Sequence, residues 1–206
     1  DGAGDVHSPI AGRVVPAVSA PRVDARTSRP ERIPVTGGWG RMLCVISGVP
    51  EAFVSVDISA PPERVWELIT DISLMPRFST ELLSTAWAEG FGGPALGAQF
   101  LGTNRHPVIG EWTTRSEIVE FDPPRRFAWA VGDPGNPAAV WRFSVSPTAK
   151  GTQLGYAARI GPGPSGVTML IDREPARAGE IVRRRLAQFE AGMRATVAGI
   201  RELSEG

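Results

Sequence analysis

The sequence has very few of the residues that build disulfide scaffolds and metal sites. Cys44 is its single cysteine, so no disulfide can form within the chain, and we expect a protein of the reducing cytoplasm. The two histidines, His7 and His106, lie far apart, and neither has a metal-ligand spacing with Cys44. The sequence therefore predicts no metal site and no cofactor.

An excess of charge of one sign is also missing. The 22 Lys and Arg residues balance 22 Asp and Glu residues, which gives a formal net charge of zero. A neutral chain has no global attraction for nucleic acid, so we expect no nucleic-acid partner. No stretch approaches the roughly 18 apolar residues that a membrane-spanning helix requires. The sequence thus predicts a domain without a membrane span, and it leaves the oligomeric state open.

The first fifty residues have little regular pattern. Prolines and scattered arginines interrupt the segment, which cannot bury enough apolar surface to offset the entropy of ordering it. We therefore predict that residues 1–50 are a disordered N-terminal extension. Met42 lies just before the first convincing structure, and two interpretations remain open. Met42 is the native start, or the segment is a flexible arm that binds a partner.

Alternating and helical patterns begin after residue 50. Val54, Val56 and Ile58 alternate with polar residues and predict a strand, and Pro61 and Pro62 then open a helix. Six segments rich in Thr, Val, Phe and Trp follow, with short turns that predict antiparallel neighbours: 81–89, 98–105, 111–121, 126–131, 139–145 and 153–160. A final helix over 175–205 carries an apolar stripe of Ile181, Leu186, Phe189, Met193, Val197 and Ile200.

Three motifs carry a resemblance to a known family. The run VSVDISAPPERVWELITDI at 54–72 resembles the opening of the START-related polyketide cyclase/dehydrase superfamily (SRPBCC). The run IVEFDPPRRFAW at 118–129 resembles its central part. Trp141-Arg142-Phe143, with Gly151-Thr152 and the last helix, is similar to its end. At Phe78 the chain departs from the family, where tryptophan is frequent after Pro76-Arg77.

The resemblance implies an α+β helix-grip fold for residues 51–206. In this fold a curved antiparallel sheet wraps around a long C-terminal helix, and two short helices follow the first strand. It further implies a START-like ligand-binding domain, yet it does not decide the chemistry, because the superfamily includes cyclases, lipid carriers and hormone receptors.

Aromatic residues are more numerous on the predicted strands than a thin half-buried sheet needs. They favour an aromatic-lined cavity between sheet and helix. Trp112 and Trp129 are the preferred pocket residues. The full set of predicted ligand-binding residues is Phe78, Trp87, Phe100, Trp112, Trp129, Trp141, Phe143 and Tyr156.

Three functions fit this cavity. The first is binding of a small hydrophobic molecule, aromatic or lipid-like. The second is a cyclase or dehydratase, for which His106, Glu111 and Tyr156 are the candidate acid–base residues. The third is a regulatory interaction module whose cavity is filled by side chains. A cavity in which His106 meets a carboxylate would favour the enzyme.

Two further patterns have structural interpretations. The stretch 161–166 spells GxGxxG, but Pro162 and Pro164 remove backbone N–H groups that a pyrophosphate would need, so we predict a loop. Arg183, Arg184 and Arg185 predict a solvated face of the last helix.

Overall fold

The computed structural model describes residues 49–107 and 110–206. The disorder predicted for residues 1–50, apart from Val49 and Pro50, lies outside the described residues, as do the alternatives for Met42. Within the described ranges, none of the helices has the length and apolarity that crossing a bilayer needs.

Seven strands and three α-helices follow one another along the described chain. In chain order they are β1 (Glu51–Ile58), α1 (Pro62–Thr70), a first 3₁₀ helix (Ile72–Phe78), β2 (Leu82–Trp87), β3 (Gln99–His106), β4 (Gly110–Asp122), β5 (Arg126–Asp133), β6 (Asn136–Thr148), β7 (Gly151–Ile160), α2 (Gly166–Arg173), a second 3₁₀ helix (Pro175–Arg177) and α3 (Ala178–Glu205). The strands form one antiparallel sheet in the order β1-β7-β6-β5-β4-β3-β2. The predicted α+β helix-grip fold is confirmed.

Three β-bulges interrupt the pairing and help the sheet to curl. Register shifts occur between Leu82 and Ser84 and between Val131 and Gly132. A third, between Ile118 and Glu120, leaves Val119 as an extra residue on β4. Because a bulge bends its strand and increases the local twist, the sheet forms a curled half-barrel rather than a flat layer.

The helices lie where their apolar faces can be buried against this sheet. In α1, Pro62 starts the first turn, and Val65 and Ile69 point into the core. Helix α3 has 28 residues, about 42 Å at 1.5 Å per residue, and it packs mainly against β1. Its buried residues are Ala178, Val182, Met193, Val197 and Ile200, and Leu186 and Phe189 pack partly buried beside them.

The predicted last helix differs from the structure at its start. Pro175 begins a 3₁₀ helix, and regular α-helix starts only at Ala178. The sequence analysis also missed α2. Its start is fixed by a capping box, in which the backbone N–H of Thr168 donates to Ser165 Oγ at 3.2 Å and that of Ser165 donates to Thr168 Oγ1 at 2.8 Å.

Candidate functional site

The candidate site is the concave face of the sheet, the face that is directed toward α3. An aromatic row crosses this face from β2 to β7. Neighbouring ring centroids lie 6.1 Å apart for Trp87–Phe100, 6.1 Å for Phe100–Trp129, 6.4 Å for Trp129–Trp141 and 5.6 Å for Trp141–Tyr156. We call these five residues the aromatic row. Their side chains give the concave face a continuous apolar and polarisable surface.

The predicted ligand-binding residues divide by burial. Phe100, Trp129, Phe143 and Tyr156 are buried, whereas Phe78, Trp87, Trp112 and Trp141 are only half-buried. The half-buried residues retain surface with which to contact a ligand. Phe78 lies on the first 3₁₀ helix and packs against α3 so closely that a Cβ on Gly199 would fall 2.2 Å from its ring. Its position is therefore set by packing against the helix.

Tyr156 carries the one hydroxyl of the aromatic row. Its side chain is only 7% exposed, and its ring stacks on Phe143 with centroids 4.0 Å apart. No hydrogen bond joins this hydroxyl to another of the described residues. Every fully enclosed side-chain nitrogen or oxygen in the same ranges has a partner, so the Tyr156 hydroxyl is not fully enclosed.

Burial also determines the protonation state of Tyr156. Desolvation raises the pKa of its phenol far above the ordinary value of 10.0, because the charged phenolate would lose its hydration. The side chain is therefore a neutral phenol at physiological pH. It can donate one hydrogen bond and accept others inside an apolar wall.

A polar spot lies on the concave face between β3 and β4. Asn104 Nδ2 donates to the carbonyl oxygen of Gly102 at 3.0 Å, and Thr114 Oγ1 donates to the same oxygen at 3.3 Å. A Cβ on Gly102 would lie 3.1 Å from Leu82 Cδ1. Glycine at this position therefore lets side chains from β2 and β4 approach each other.

The three candidate acid–base residues do not come together. Glu111 pairs with Arg105, whose Nε lies 2.8 Å from Glu111 Oε1, and both side chains are exposed. His106 lies opposite Gly110 at the end of β3. Tyr156 is on β7, which β6, β5 and β4 separate from β3. In the described ranges, no three His, Cys, Asp or Glu side chains cluster in a way that could hold a metal ion.

Two concavities adjoin Phe78, and neither includes a residue of the aromatic row. A surface groove of about 800 Å³ runs between the first 3₁₀ helix and α3, and its walls include Arg77, Ala198, Gly199, Arg201 and Glu202. A void of about 10 Å³ lies between α1, Phe143 and Ile200, and it has room for about one water. The interior near Phe143 is therefore packed in this conformation.

Arg185 corrects one prediction from the sequence. It was expected on a solvated helix face, but it forms a two-pronged ion pair with Glu81, with N–O distances of 2.7 and 2.9 Å. Its guanidinium carbon lies 4.6 Å from the ring centroid of Phe189. Phe189 in turn lies 4.7 Å from Trp141 of the aromatic row. The sequence analysis missed this ion pair, which lies beside the aromatic row.

Comparisons with known proteins agree with this architecture. Residues 51–198 match a family model described as polyketide cyclase / dehydrase and lipid transport. A polyketide cyclase-like protein from Corynebacterium glutamicum is 29% identical, with a TM-score of 0.55 over 76% of this chain and 91% of that one. No curated protein matches the chain.

More distant solved structures share the fold alone. A protein from Nitrosomonas europaea is 14% identical, with a TM-score of 0.54 over 77% of this chain and 96% of that one. The di-domain ARO/CYC protein BexL of the BE-7585A biosynthetic pathway is 20% identical, with a TM-score of 0.55. The match to BexL covers 76% of this chain and 50% of that one, so the chain corresponds to about half of its length.

Proposed function

Because the chain belongs to the polyketide cyclase / dehydrase and lipid transport family, we propose that it binds a small hydrophobic molecule between the sheet and α3. The observation that carries this proposal is Tyr156, whose ring is buried among other aromatic rings while its hydroxyl has no hydrogen-bond partner in the described ranges. A hydroxyl held in an apolar wall is normally hydrogen-bonded, and an oxygen of a ligand on the concave face would supply a partner.

The aromatic row supports an aromatic or lipid-like ligand. Burying apolar ligand surface contributes about 25 cal/mol per Å² before the costs of association, so most of the affinity would come from the rings. The Tyr156 hydroxyl would fix the orientation of the ligand by donating a hydrogen bond to its carbonyl or hydroxyl oxygen. The single cysteine, Cys44, supports a reducing, cytoplasmic location, in which such a ligand would be a metabolite of the cell.

A catalytic role of the cyclase or dehydratase kind rests on the same residue. A neutral Tyr156 phenol can donate a hydrogen bond to a ligand carbonyl and so polarise it. Glu111 forms an ion pair with Arg105 at an exposed strand end. It therefore does not act as a carboxylate partner for Tyr156. Binding is therefore the function that the geometry supports best, and catalysis is the second.

Nile red, a neutral apolar dye with a carbonyl group, tests the binding site. We expect the purified protein to bind it, and tryptophan emission to excite the bound dye. Tyr156→Phe removes one hydrogen bond worth about 0.5–1.5 kcal/mol, so the dissociation constant should rise by about two- to tenfold. The melting temperature should change little, because the ring and its stacking on Phe143 remain.

The control for this measurement is Phe53→Leu, which changes an exposed aromatic residue on β1. It should leave dye binding unchanged. Absence of dye binding by the wild-type protein would contradict the proposed function and favour a filled interaction module. Equal binding by Tyr156→Phe would remove Tyr156 from the site. Native mass spectrometry of freshly purified protein would show directly whether a small molecule is retained.

Trp112 and Trp129 should respond differently to replacement by leucine. Trp129 is 5% exposed and touches five other rings, so Trp129→Leu should cost about 1–2 kcal/mol of unfolding free energy. Trp112 is half-buried on the same concave face, opposite Asn104. Trp112→Leu should weaken Nile red binding severalfold and change stability by less than about 0.5 kcal/mol. Urea melts and dye titrations of both variants check this; the reverse pattern would exchange their roles.

A further inference from the structure

One ion pair links α3 to the far edge of the sheet. Glu81 immediately precedes β2, and Arg185 lies in the second turn of α3, 104 residues away. The guanidinium binds both carboxylate oxygens, a geometry that is stronger and more directional than a single contact. Among the ion pairs of the described residues, it is the one in which both side chains are less than one-third exposed, at 24% and 30%.

The position of this pair relates it to the aromatic row. Helix α3 packs mainly against β1, which is one edge strand of the sheet, whereas Glu81 leads into β2, the other edge strand. The pair therefore crosses from the helix to the opposite side of the curled sheet. Arg185 also covers Phe189, and Phe189 contacts Trp141, so the pair lies beside the aromatic row at Trp141.

We propose that the Glu81–Arg185 pair is a reversible closure that controls passage of the ligand to the concave face. This inference rests on the proposed function, and it concerns the rates of binding rather than the affinity. In the described conformation the concave face is largely covered, because Phe100, Trp129 and Tyr156 of the aromatic row are buried. The void beside Phe143 measures only about 10 Å³. A ligand of several rings needs a few hundred Å³, so α3 and the β2 edge must separate before it can bind.

The partial exposure of the pair makes it suitable for opening and closing. A fully buried ion pair is costly to break, because each charge would be left without hydration or a partner. Glu81 and Arg185 keep about a quarter of their surface in water, so rehydration offsets most of the lost attraction when they part. The stacking of Arg185 on Phe189 returns the guanidinium to the same place when the pair re-forms.

Stopped-flow mixing with Nile red tests the closure. Glu81→Gln keeps the size of the side chain and removes its charge. We expect it to raise the association and dissociation rates together by about three- to tenfold, with less than a twofold change in the dissociation constant. The charge-exchanged variant Glu81→Arg/Arg185→Glu should restore rates near those of the wild type. Glu190→Gln is the control, because it removes a more exposed pair with Arg194 on the same helix, and it should change neither rate.

A second readout needs no ligand. Opening of the closure should make Trp141 more accessible, so acrylamide should quench the tryptophan emission of Glu81→Gln more strongly than that of the wild type or Glu190→Gln. Unchanged quenching and unchanged dye rates would overturn the closure while leaving the binding function intact. If the wild type binds no dye, the proposed function fails, and quenching alone decides the closure. A large fall in the melting temperature of Glu81→Gln without a change in either readout would show that the ion pair only stabilises the fold, and it would overturn the inference.

Discussion

Met193→Ala is expected to lower the free energy of unfolding by about 2–5 kcal/mol, the range for truncating a buried methionine. Met193 is 1% exposed and lies near the middle of the buried face of α3. It belongs to the same core cluster as Phe143 and Tyr156 on the concave side of the sheet. Truncation would leave a cavity that the neighbouring strands cannot fill, because their hydrogen-bonded pairing holds them in place.

Met169 provides a matched control for this substitution. It is 56% exposed on α2, so Met169→Ala makes the same chemical change where little is buried. Its effect should stay within about 0.5 kcal/mol. Urea denaturation followed by circular dichroism measures both variants. Equal losses, or no loss for Met193→Ala, would mean that α3 does not pack on the sheet in solution.

The sequence predicted the order of elements well because strands and helices differ in apolar period. Alternation located the strands, and the stripe around Met193 located α3. The resemblance to the SRPBCC superfamily, read from three motifs, is confirmed by the family match over residues 51–198. Boundaries were less accurate at prolines: β6 was predicted to span 139–145 but runs over Asn136–Thr148. Pro137 and Pro147 suggested turns, yet they lie near the ends of this strand, where proline is better tolerated.

Helix α2 was missed because its signals are weak in the sequence. Its capping box uses Thr168 in place of the usual Glu or Gln, and the helix has only eight residues. A glycine- and proline-rich loop precedes it and Pro175 follows it, so the local composition indicated an irregular segment. Its apolar residue Ile171 is buried in a cluster with Ile160, Ala178 and Val182, which the local pattern does not reveal.

The concave face could be predicted in part from strand parity. Trp112, Thr114, Ser116 and Ile118 share the inner face of β4, as the period of two requires, and Arg115 is exposed. The extra residue Val119 then shifts the parity, so Phe121 also faces inward, where its ring contacts Trp66 and Phe127. A bulge of this kind depends on pairing with β5 and cannot be read from β4 alone.

The charged residues around the site could not be placed from local patterns. Arg185 belongs to a run of three arginines that resembles a solvated helix face. Its partner Glu81 is 104 residues away, and only the tertiary fold brings the two together. Likewise, Glu111 qualified as an acid–base candidate by its place at a strand end, but the register of β3 and β4 sets it opposite Arg105.

The glycine-rich stretch 161–166 shows how one motif can serve packing instead of phosphate binding. The N–H of Gly163 donates to the carbonyl oxygen of Pro137 at 2.9 Å, so the loop lies directly against the start of β6. A Cβ on Gly163 would fall 2.1 Å from the carbonyl oxygen of Asn136, and one on Gly161 would fall 2.0 Å from that of Pro137. Both contacts are with backbone, which cannot rotate away.

Gly163→Ala is therefore expected to destabilise the domain by about 3 kcal/mol, at the upper end of the cost of overpacking. Gly92→Ala is the control, because a Cβ there meets nothing within 4 Å and its φ lies outside the left-handed region. That change should be neutral or slightly stabilising, since it reduces the conformational freedom of the unfolded chain. Thermal and urea melts compare the two variants. If Gly163→Ala were as stable as Gly92→Ala, the close approach to β6 would be wrong. The presence of glycine at position 163 would then need another explanation, such as close approach of a ligand.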